Sequence, residues 1–148
     1  MKIAIGADHG GYLLKDELKA YLIDVGHELV DVGTNGPESV DYPDYARLVG
    51  ELVASGQVER AILVCGTGIG ISIAANKVRG VRAALVSSVT TARLAAEHNN
   101  ANVLCLGGRL LAAALATEIV QTWLDTDFEP RHQRRLDMIA ALERDGEK

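Results

Sequence analysis

The segment from Cys65 to Ser72 contains the residue types best suited to chemistry in this chain of 148 residues. It reads Cys-Gly-Thr-Gly-Ile-Gly-Ile-Ser and follows an apolar run at 61–64. Its three glycines leave backbone N–H groups uncovered where a helix is predicted to begin, which favours binding of an oxyanion or a phosphate. The positive end of a helix also stabilises a thiolate, so Cys65 suits a base or a nucleophile. The alternative, a small apolar residue that ends a buried strand, stays open.

The glycine-rich segment matches neither of the familiar nucleotide-binding loops. A P-loop requires Gly-Lys-Ser or Gly-Lys-Thr, and the sequence contains neither. The dinucleotide fingerprint requires Gly or Ala where Ile71 stands and an acidic residue about 20 positions later. The next predicted strand ends instead in Ser87 and Ser88. Dinucleotide binding is therefore not expected, and the alternative to an enzyme is a non-catalytic module that binds a sugar phosphate or a nucleotide.

Three arginines are candidates for binding a phosphate dianion. Arg131 and Arg135 are four residues apart on a predicted terminal helix, so their guanidinium groups share one face. Together with Arg109 they could hold a phosphate through paired hydrogen bonds. The alternative is a solvated basic patch that balances nearby carboxylates.

Two of the four histidines lie in predicted loops that could carry chemistry. His98 precedes the fifth predicted strand and suits a general acid or base, because imidazole titrates near neutral pH. His9 follows the first predicted strand, beside Asp8, whereas His27 is assigned a structural role. Cys105 lies inside a predicted strand and is assigned to the core. Because no histidine or carboxylate spacing matches a metal motif, no metal ligand is predicted.

Five predicted strands alternate with five predicted helices. The strands are at 2–6, 27–32, 61–66, 82–86 and 102–106, and the helices are at 12–25, 45–54, 69–76, 90–98 and 110–124. This alternation predicts right-handed crossovers and a parallel, three-layer α/β/α sheet. Ligands bind such sheets beyond the carboxyl ends of the strands. We therefore expect the loops that carry Asp8, Tyr42, Cys65, His98 and Arg109 to converge on one rim.

Composition limits the class of protein further. The length suits one domain over 1–148, with an extra helix at 129–148 whose apolar stripe could dock on its own sheet or on a second subunit. With 48% hydrophobic and 24% charged residues the chain is typical of a globular protein, and a net charge of −5 argues against nucleic-acid binding. No apolar run approaches the roughly 18 residues of a membrane helix. Two cysteines without a paired motif are expected to be reduced, which favours a cytoplasmic location.

Several motifs occur in order over nearly the whole chain. They are IGADHGGYLLK at 5–15, VDYPDYA at 40–46, CGTGIGISIAANK at 65–77, the pair His98-Asn99, NVLCLGGR at 102–109 and RHQRR at 131–135. Together they resemble the ribose-5-phosphate isomerase type B family, which includes galactose-6-phosphate isomerase subunits. The resemblance implies an aldose–ketose isomerase with a Rossmann-like fold and no metal or organic cofactor. It also implies a homodimer, with a tetramer as the alternative, and sites at the subunit interface.

The resemblance implies a role for each matching residue. Cys65 resembles the base that moves a proton between C1 and C2 through a cis-enediolate, and Thr67 and His98 resemble the pair that assists ring opening. The substrate-binding residues fall into three groups: Gly66, Gly68, Gly70 and Asn99 around the oxyanion, with Ser72 in the same segment; Asp8 and Tyr42 at hydroxyl groups; and His9, Arg109, Arg131 and Arg135 at the phosphate. The expected reaction interconverts D-ribose 5-phosphate and D-ribulose 5-phosphate. The alternative substrates are allose 6-phosphate, galactose 6-phosphate or a tetrose phosphate.

Overall fold

The computed structural model describes residues 1–146 and contains a five-stranded parallel sheet in the order β2-β1-β3-β5-β4. The strands are β1 (Lys2–Ala7), β2 (Glu28–Asp31), β3 (Arg60–Cys65), β4 (Ala83–Leu85) and β5 (Val103–Gly107). The helices are α1 (Tyr12–Asp24), α2 (Tyr42–Ala54), α3 (Ile69–Ala75), α4 (Val89–Asn99), α5 (Ala113–Asp125) and α6 (Gln133–Asp145), with a 3₁₀ turn at Pro130–His132. The predicted three-layer α/β/α fold is confirmed. Across the described part of the chain, no helix has the length and apolar character needed to cross a membrane.

Two hydrophobic clusters cover the two faces of the sheet, because successive side chains of a strand point to opposite faces. On one face Ile62 and Val64 pack with α1, α4 and α5. On the other face Ala61, Leu63 and Cys65 pack with α2 and α3. The side chain of Cys65 therefore belongs to the face covered by α2 and α3. Cys105 belongs to the same cluster and is fully buried, as the sequence predicts.

The structure corrects three predicted helix boundaries. Helix α2 begins at Tyr42 rather than at 45, because Pro43 occupies its first turn, where a backbone N–H is not needed. The predicted start of the fifth helix at 110 is wrong, since the backbone N–H groups of Leu110 and Leu111 form a turn on the carbonyl of Gly107. The predicted terminal helix begins as the 3₁₀ turn at Pro130, and positions 147 and 148 of that prediction lie outside the described residues.

Candidate active site

The thiol of Cys65 faces a backbone amide at the start of α3. Cys65 is the last residue of β3, and its Sγ accepts a hydrogen bond from the N–H of Gly68 at 3.2 Å. Gly68 has φ +79°, and a Cβ there would lie 2.8 Å from the carbonyl carbon of Leu106. Only glycine suits both the left-handed backbone and the close approach of β5. The glycine therefore keeps the amide directed at the sulfur.

The two hydroxyl groups of this segment have different surroundings. Thr67 is exposed, and its Oγ1 accepts a hydrogen bond from the N–H of Ile69 at 3.2 Å. The hydroxyl proton of Thr67 is therefore free to be donated to a ligand. Ser72 is buried, and its hydroxyl donates to the carbonyl of Ile69 at 2.7 Å. Ser72 thus holds the first turn of α3 together through its own hydrogen bond.

The loop after β1 contributes an acid and a histidine to the same edge of the sheet. The buried carboxylate of Asp8 accepts a hydrogen bond from the N–H of Gly10 at 2.9 Å, which fixes the loop. The Nδ1 atom of His9 accepts a hydrogen bond from the N–H of Val40 at 3.2 Å. A neutral imidazole that accepts at Nδ1 carries its proton on Nε2. His9 is thereby oriented to donate a hydrogen bond from Nε2.

Arg109 and Tyr42 lie directly against the glycine-rich segment. A Cβ at Gly66 would stand 3.0 Å from a guanidinium nitrogen of Arg109, and one at Gly70 would stand 2.5 Å from the Cζ atom of Tyr42. The N–H of Arg109 also donates to the carbonyl of Gly66 at 3.0 Å, which ties the two loops together. The glycines thus let a cation and a phenol approach the backbone amides. The predicted meeting of Asp8, His9, Tyr42, residues 65–70 and Arg109 beyond the carboxyl ends of the strands is confirmed, and we call this region the carboxyl edge.

The prediction that His98 and Asn99 share this rim is wrong within one chain. Helix α4 returns antiparallel to the strands, so its last residues lie near the amino ends of β4 and β5. Asn99 accordingly lines a groove with Val81 and Arg82, which precede β4. An 11-residue helix spans about 16 Å, so His98 lies on the order of 15 Å from the edge that carries Cys65. We call this second region the amino edge.

Arg131 lies at the amino edge, whereas Arg109 lies at the carboxyl edge, so one chain does not assemble the predicted set of three arginines. The Nε atom of Arg131 donates to the Glu129 carboxylate at 2.5 Å, and the neighbouring imidazole of His132 packs against His98 with ring centroids 4.5 Å apart. Burial and then the positive charge of Arg131 lower the pKa of His132, against the Glu129 carboxylate, which raises it. The segment around 129–135 is thus held beside the end of α4.

Sequence reasoning missed Glu97, Glu129 and His132 as neighbours of His98. The N–H of Glu129 donates to the carbonyl of Glu97 at 2.9 Å, which joins the segment before α6 to the end of α4. Nothing in the spacing of these residues indicates the contact, since it depends on how the segment after α5 crosses the sheet. The signal that was available is the run RHQRR, in which His132 stands between the two arginines.

A small apolar cavity of about 170 Å³ opens beside Thr67 at the carboxyl edge. Leu85, Ser87 and Leu110 line it. A larger groove of about 530 Å³ lies at the amino edge, between the start of β4 and the side chains of Ile139 and Leu142 on α6. Both hollows are bordered by apolar side chains that remain exposed in the single chain.

A buried thiol that accepts a hydrogen bond from a backbone amide, with an arginine against the same loop, lies beyond the carboxyl ends of the strands, where α/β sheets bind their ligands. The Ribose/Galactose Isomerase family matches residues 3–139 of this chain. The chain belongs to that family and is an isomerase.

Individual relatives resemble the chain over nearly its full length. The ribose-5-phosphate isomerase B of Escherichia coli is 48% identical over 96% of both chains. The solved structure of the Clostridium thermocellum ribose-5-phosphate isomerase B has a TM-score of 0.96 and 51% identity, over 98% of this chain and 99% of that one. The 4-deoxy-4-sulfo-D-erythrose isomerase of a Clostridium species is 43% identical over 86% of this chain and 81% of its own length. The names of these relatives therefore refer to different sugars, one of them phosphorylated and one of them sulfonated.

Proposed function

We propose that this chain interconverts D-ribose 5-phosphate and D-ribulose 5-phosphate, with Cys65 as the base. The observation that carries the proposal is the 3.2 Å hydrogen bond from the N–H of Gly68 to the Cys65 sulfur, at the edge where Arg109 lies against the same loop. The similarity to two ribose-5-phosphate isomerases B supports the pentose substrate.

The reaction requires a proton to leave C2 of the open-chain aldose and a proton to arrive at C1. The Cys65 thiolate takes the C2 proton, the electrons of the C–H bond form the C1–C2 double bond, and those of the aldehyde π bond move to O1. The proton of the C2 hydroxyl passes to O1, which leaves the negative charge on O2. Reprotonation of C1 by the thiol restores the thiolate and forms the ketone at C2. The backbone amides of residues 66–70 stabilise the negative charge of the enediolate. Because the loop holds these amides in place, they do not have to reorganise as the charge develops.

The phosphate binds away from the reacting carbons and fixes their position. The guanidinium of Arg109 and the Nε2 proton of His9 are the donors that the carboxyl edge supplies for it. Asp8 and Tyr42 border the loop between these donors and Cys65, where the sugar hydroxyl groups would lie. Binding energy from the phosphate orients C1 and C2 at the sulfur.

A second copy of the chain completes the site in this proposal. The amino edge carries the residues assigned to ring opening, to the oxyanion and to phosphate binding, and none of them reaches the Cys65 of its own chain. They are His98, Asn99, Arg131 and Arg135. A two-fold dimer that places the amino edge of one copy on the carboxyl edge of the other forms two equal sites. Exposed apolar side chains support such a contact, since Ile69 is 52% exposed and Leu110 is 69% exposed beside Thr67, and Leu142 on α6 is 71% exposed. The partner would also exclude water from the enediolate.

Comparison of substrates tests the choice of sugar. Initial rates are measured with ribose 5-phosphate, allose 6-phosphate, galactose 6-phosphate and erythrose 4-phosphate under the same conditions. The proposal expects the highest kcat/KM for ribose 5-phosphate, because the pocket must match both the phosphate and the carbonyl end of the sugar. A higher kcat/KM for a hexose or tetrose phosphate would replace the pentose assignment and leave the chemistry intact.

Turnover in D₂O tests the chemistry itself. A thiol that carries the proton exchanges it with solvent, so the ribulose 5-phosphate formed should contain deuterium at C1, detected by proton NMR. Turnover without any deuterium at C1 would contradict proton transfer through an exchangeable group and would favour a hydride shift.

A further inference from the structure

Three side chains that could bind a metal ion meet at the amino edge. His98 lies in the last turn of α4, and Glu129 and His132 come from the segment before α6. Each offers one ligand atom, and these three atoms all lie within 4.8 Å of one another. No metal motif predicts this group, because its members come from separate elements that only the folded chain brings together.

The ring of His132 provides a second and independent observation. Its Nε2 atom is buried and has no hydrogen-bond partner among residues 1–146, and the side chain is only 10% exposed. The Glu129 carboxylate is 3.8 Å from this nitrogen, which is too far for a hydrogen bond. A cation bound between this nitrogen and the carboxylate would satisfy both.

The chemistry of the three side chains suits a transition-metal ion. Imidazole nitrogen and carboxylate oxygen atoms are both common ligands of Zn²⁺. Two imidazoles and one carboxylate match the protein ligands of zinc sites that keep a fourth position open.

We propose that His98, Glu129 and His132 form a binding site for a divalent transition-metal ion, with Zn²⁺ as its ligand. The imidazole nitrogens select Zn²⁺ over Mg²⁺ and Ca²⁺, which prefer sets of oxygen ligands. Zinc bonds of about 2.0–2.2 Å require the three atoms to move closer together, and the side chains of His98 and Glu129 are 35% and 39% exposed.

Neighbouring charges limit the affinity of this site. The Glu129 carboxylate already binds the Nε atom of Arg131 at 2.5 Å, so a metal ion competes with that guanidinium. The Glu97 carboxylate lies 3.3 Å from the Nε2 atom of His98 and also pairs with Arg93 at 2.6 Å. Glu97 is placed to hydrogen-bond a ligated His98 or to become a fourth ligand.

Metal binding would inhibit the isomerase, a consequence that rests on the proposed function. A ligated His98 has no lone pair with which to move a proton during ring opening. Zn²⁺ would also draw Glu129 away from Arg131. The site therefore gives the protein a way to lose activity when free Zn²⁺ rises.

The binding test uses the full chain freed of metal by a chelator and measured by calorimetry with Zn²⁺. We expect one Zn²⁺ per chain, and at least tenfold weaker binding in Glu129→Gln and His132→Gln. His27→Gln is the matched control, because it also removes a ring whose buried Nδ1 has no hydrogen-bond partner in the described chain. Its affinity should equal that of the parent. Equal affinities in the parent and in Glu129→Gln would overturn the site.

Spectra with Co²⁺ identify the ligands, and rates connect the site to activity. Imidazole and carboxylate ligation gives visible d–d bands alone, whereas a sulfur charge-transfer band in the near ultraviolet that disappears in Cys65→Ser would move the metal to Cys65 and overturn the proposal.

Zn²⁺ should slow the parent and have at least tenfold less effect on Glu129→Gln, each relative to its own metal-free rate. Zn²⁺ binding at full stoichiometry without inhibition would support the site and contradict the role of His98 in turnover. Failure of the zinc site and failure of the proposed role of His98 in turnover therefore give different results.

Discussion

The two edges of the sheet carry different halves of the proposed site and are held by different kinds of contact. Beneath the carboxyl edge, the fully buried Nζ of Lys15 donates to the Asp31 carboxylate at 2.9 Å and to the side chain of Asn35 at 3.1 Å. At the amino edge, the ion pairs Arg93–Glu97 and Arg131–Glu129 lie at the surface.

This difference shows which half of the site one chain can position alone. The buried lysine donates to oxygen atoms of three residues and holds the loop after β2. That loop in turn supplies the N–H that orients His9. Exposed ion pairs contribute only about 0–1 kcal/mol, because water screens them. The carboxyl edge is thus preorganised within the chain, and the amino edge becomes ordered against a second copy in our proposal.

The largest expected effect is the difference in kcat between variants of the two cysteines, which lie on neighbouring strands. Cys65→Ala should lower kcat by on the order of 10³-fold, because it removes the thiol that moves the proton in the proposed mechanism. Cys105→Ala is the matched control and should keep kcat within about threefold, since burial and then the nearby Cys65 raise the pKa of this thiol and keep it protonated. Steady-state rates with ribose 5-phosphate measure both. A Cys65→Ala enzyme as active as the control would contradict the base assignment.

The next effect concerns the stability of the carboxyl edge. Lys15→Met should lower the free energy of unfolding by about 3 kcal/mol, because it leaves the Asp31 carboxylate, which is only 13% exposed, with one lysine fewer. Lys19→Met removes a 39% exposed lysine from the same carboxylate, at 3.0 Å, and should lower it by less than about 1 kcal/mol. Urea denaturation followed by circular dichroism measures both variants. Equal losses would show that burial of Lys15 does not strengthen its contacts.

The next prediction concerns substrate binding by Arg131 at the amino edge. Arg131→Ala should raise KM for ribose 5-phosphate by about tenfold and change kcat less, because a phosphate contact is shared by the ground state and the transition state. Arg134→Ala, on a neighbouring face of α6, is the control and should leave KM unchanged. A large fall in kcat at constant KM would place Arg131 near the reacting carbons instead.

The smallest effect is the pH dependence of the buried network. Burial of Asp31 raises its pKa, but hydrogen bonds from Lys15, the N–H of Gly33 and Lys19 outweigh it, so the pKa lies below its usual value of 3.8. The ionised carboxylate therefore stabilises the fold above about pH 4, and this contribution is lost as the pH falls further. The difference in unfolding free energy between the parent and Asp31→Asn should shrink from pH 6 to pH 3. A difference that stays constant over this range would contradict the lowered pKa.

The alternation of apolar runs and turns was enough to predict the order of strands and helices and the loop at Cys65. In a parallel α/β sheet, a residue that directly precedes a strand lies at the amino end of that strand. The predicted alternation therefore already implies that His98 lies at the edge opposite Cys65, and the expectation of a shared rim does not follow from that pattern. The start of α2 was missed because Pro43 is typical of both a loop and a first helical turn.

No spacing in the sequence predicts the contact between His98, Glu129 and His132. It depends on the path of the segment after α5, which no periodic pattern describes. Lys15 was likewise hidden, because a lysine in an amphipathic helix is expected at the surface, and its burial follows from partners on β2 and the next loop.

Mixing two inactive variants tests most directly whether the two edges form one site across two chains. Cys65→Ala and His98→Asn are each expected to be nearly inactive alone, and they are unfolded together and refolded as a mixture. Half of the resulting dimers contain one copy of each variant and one intact site, so the account predicts recovery of about a quarter of the parent activity. A mixture no more active than the average of the two variants would contradict a site shared between two copies.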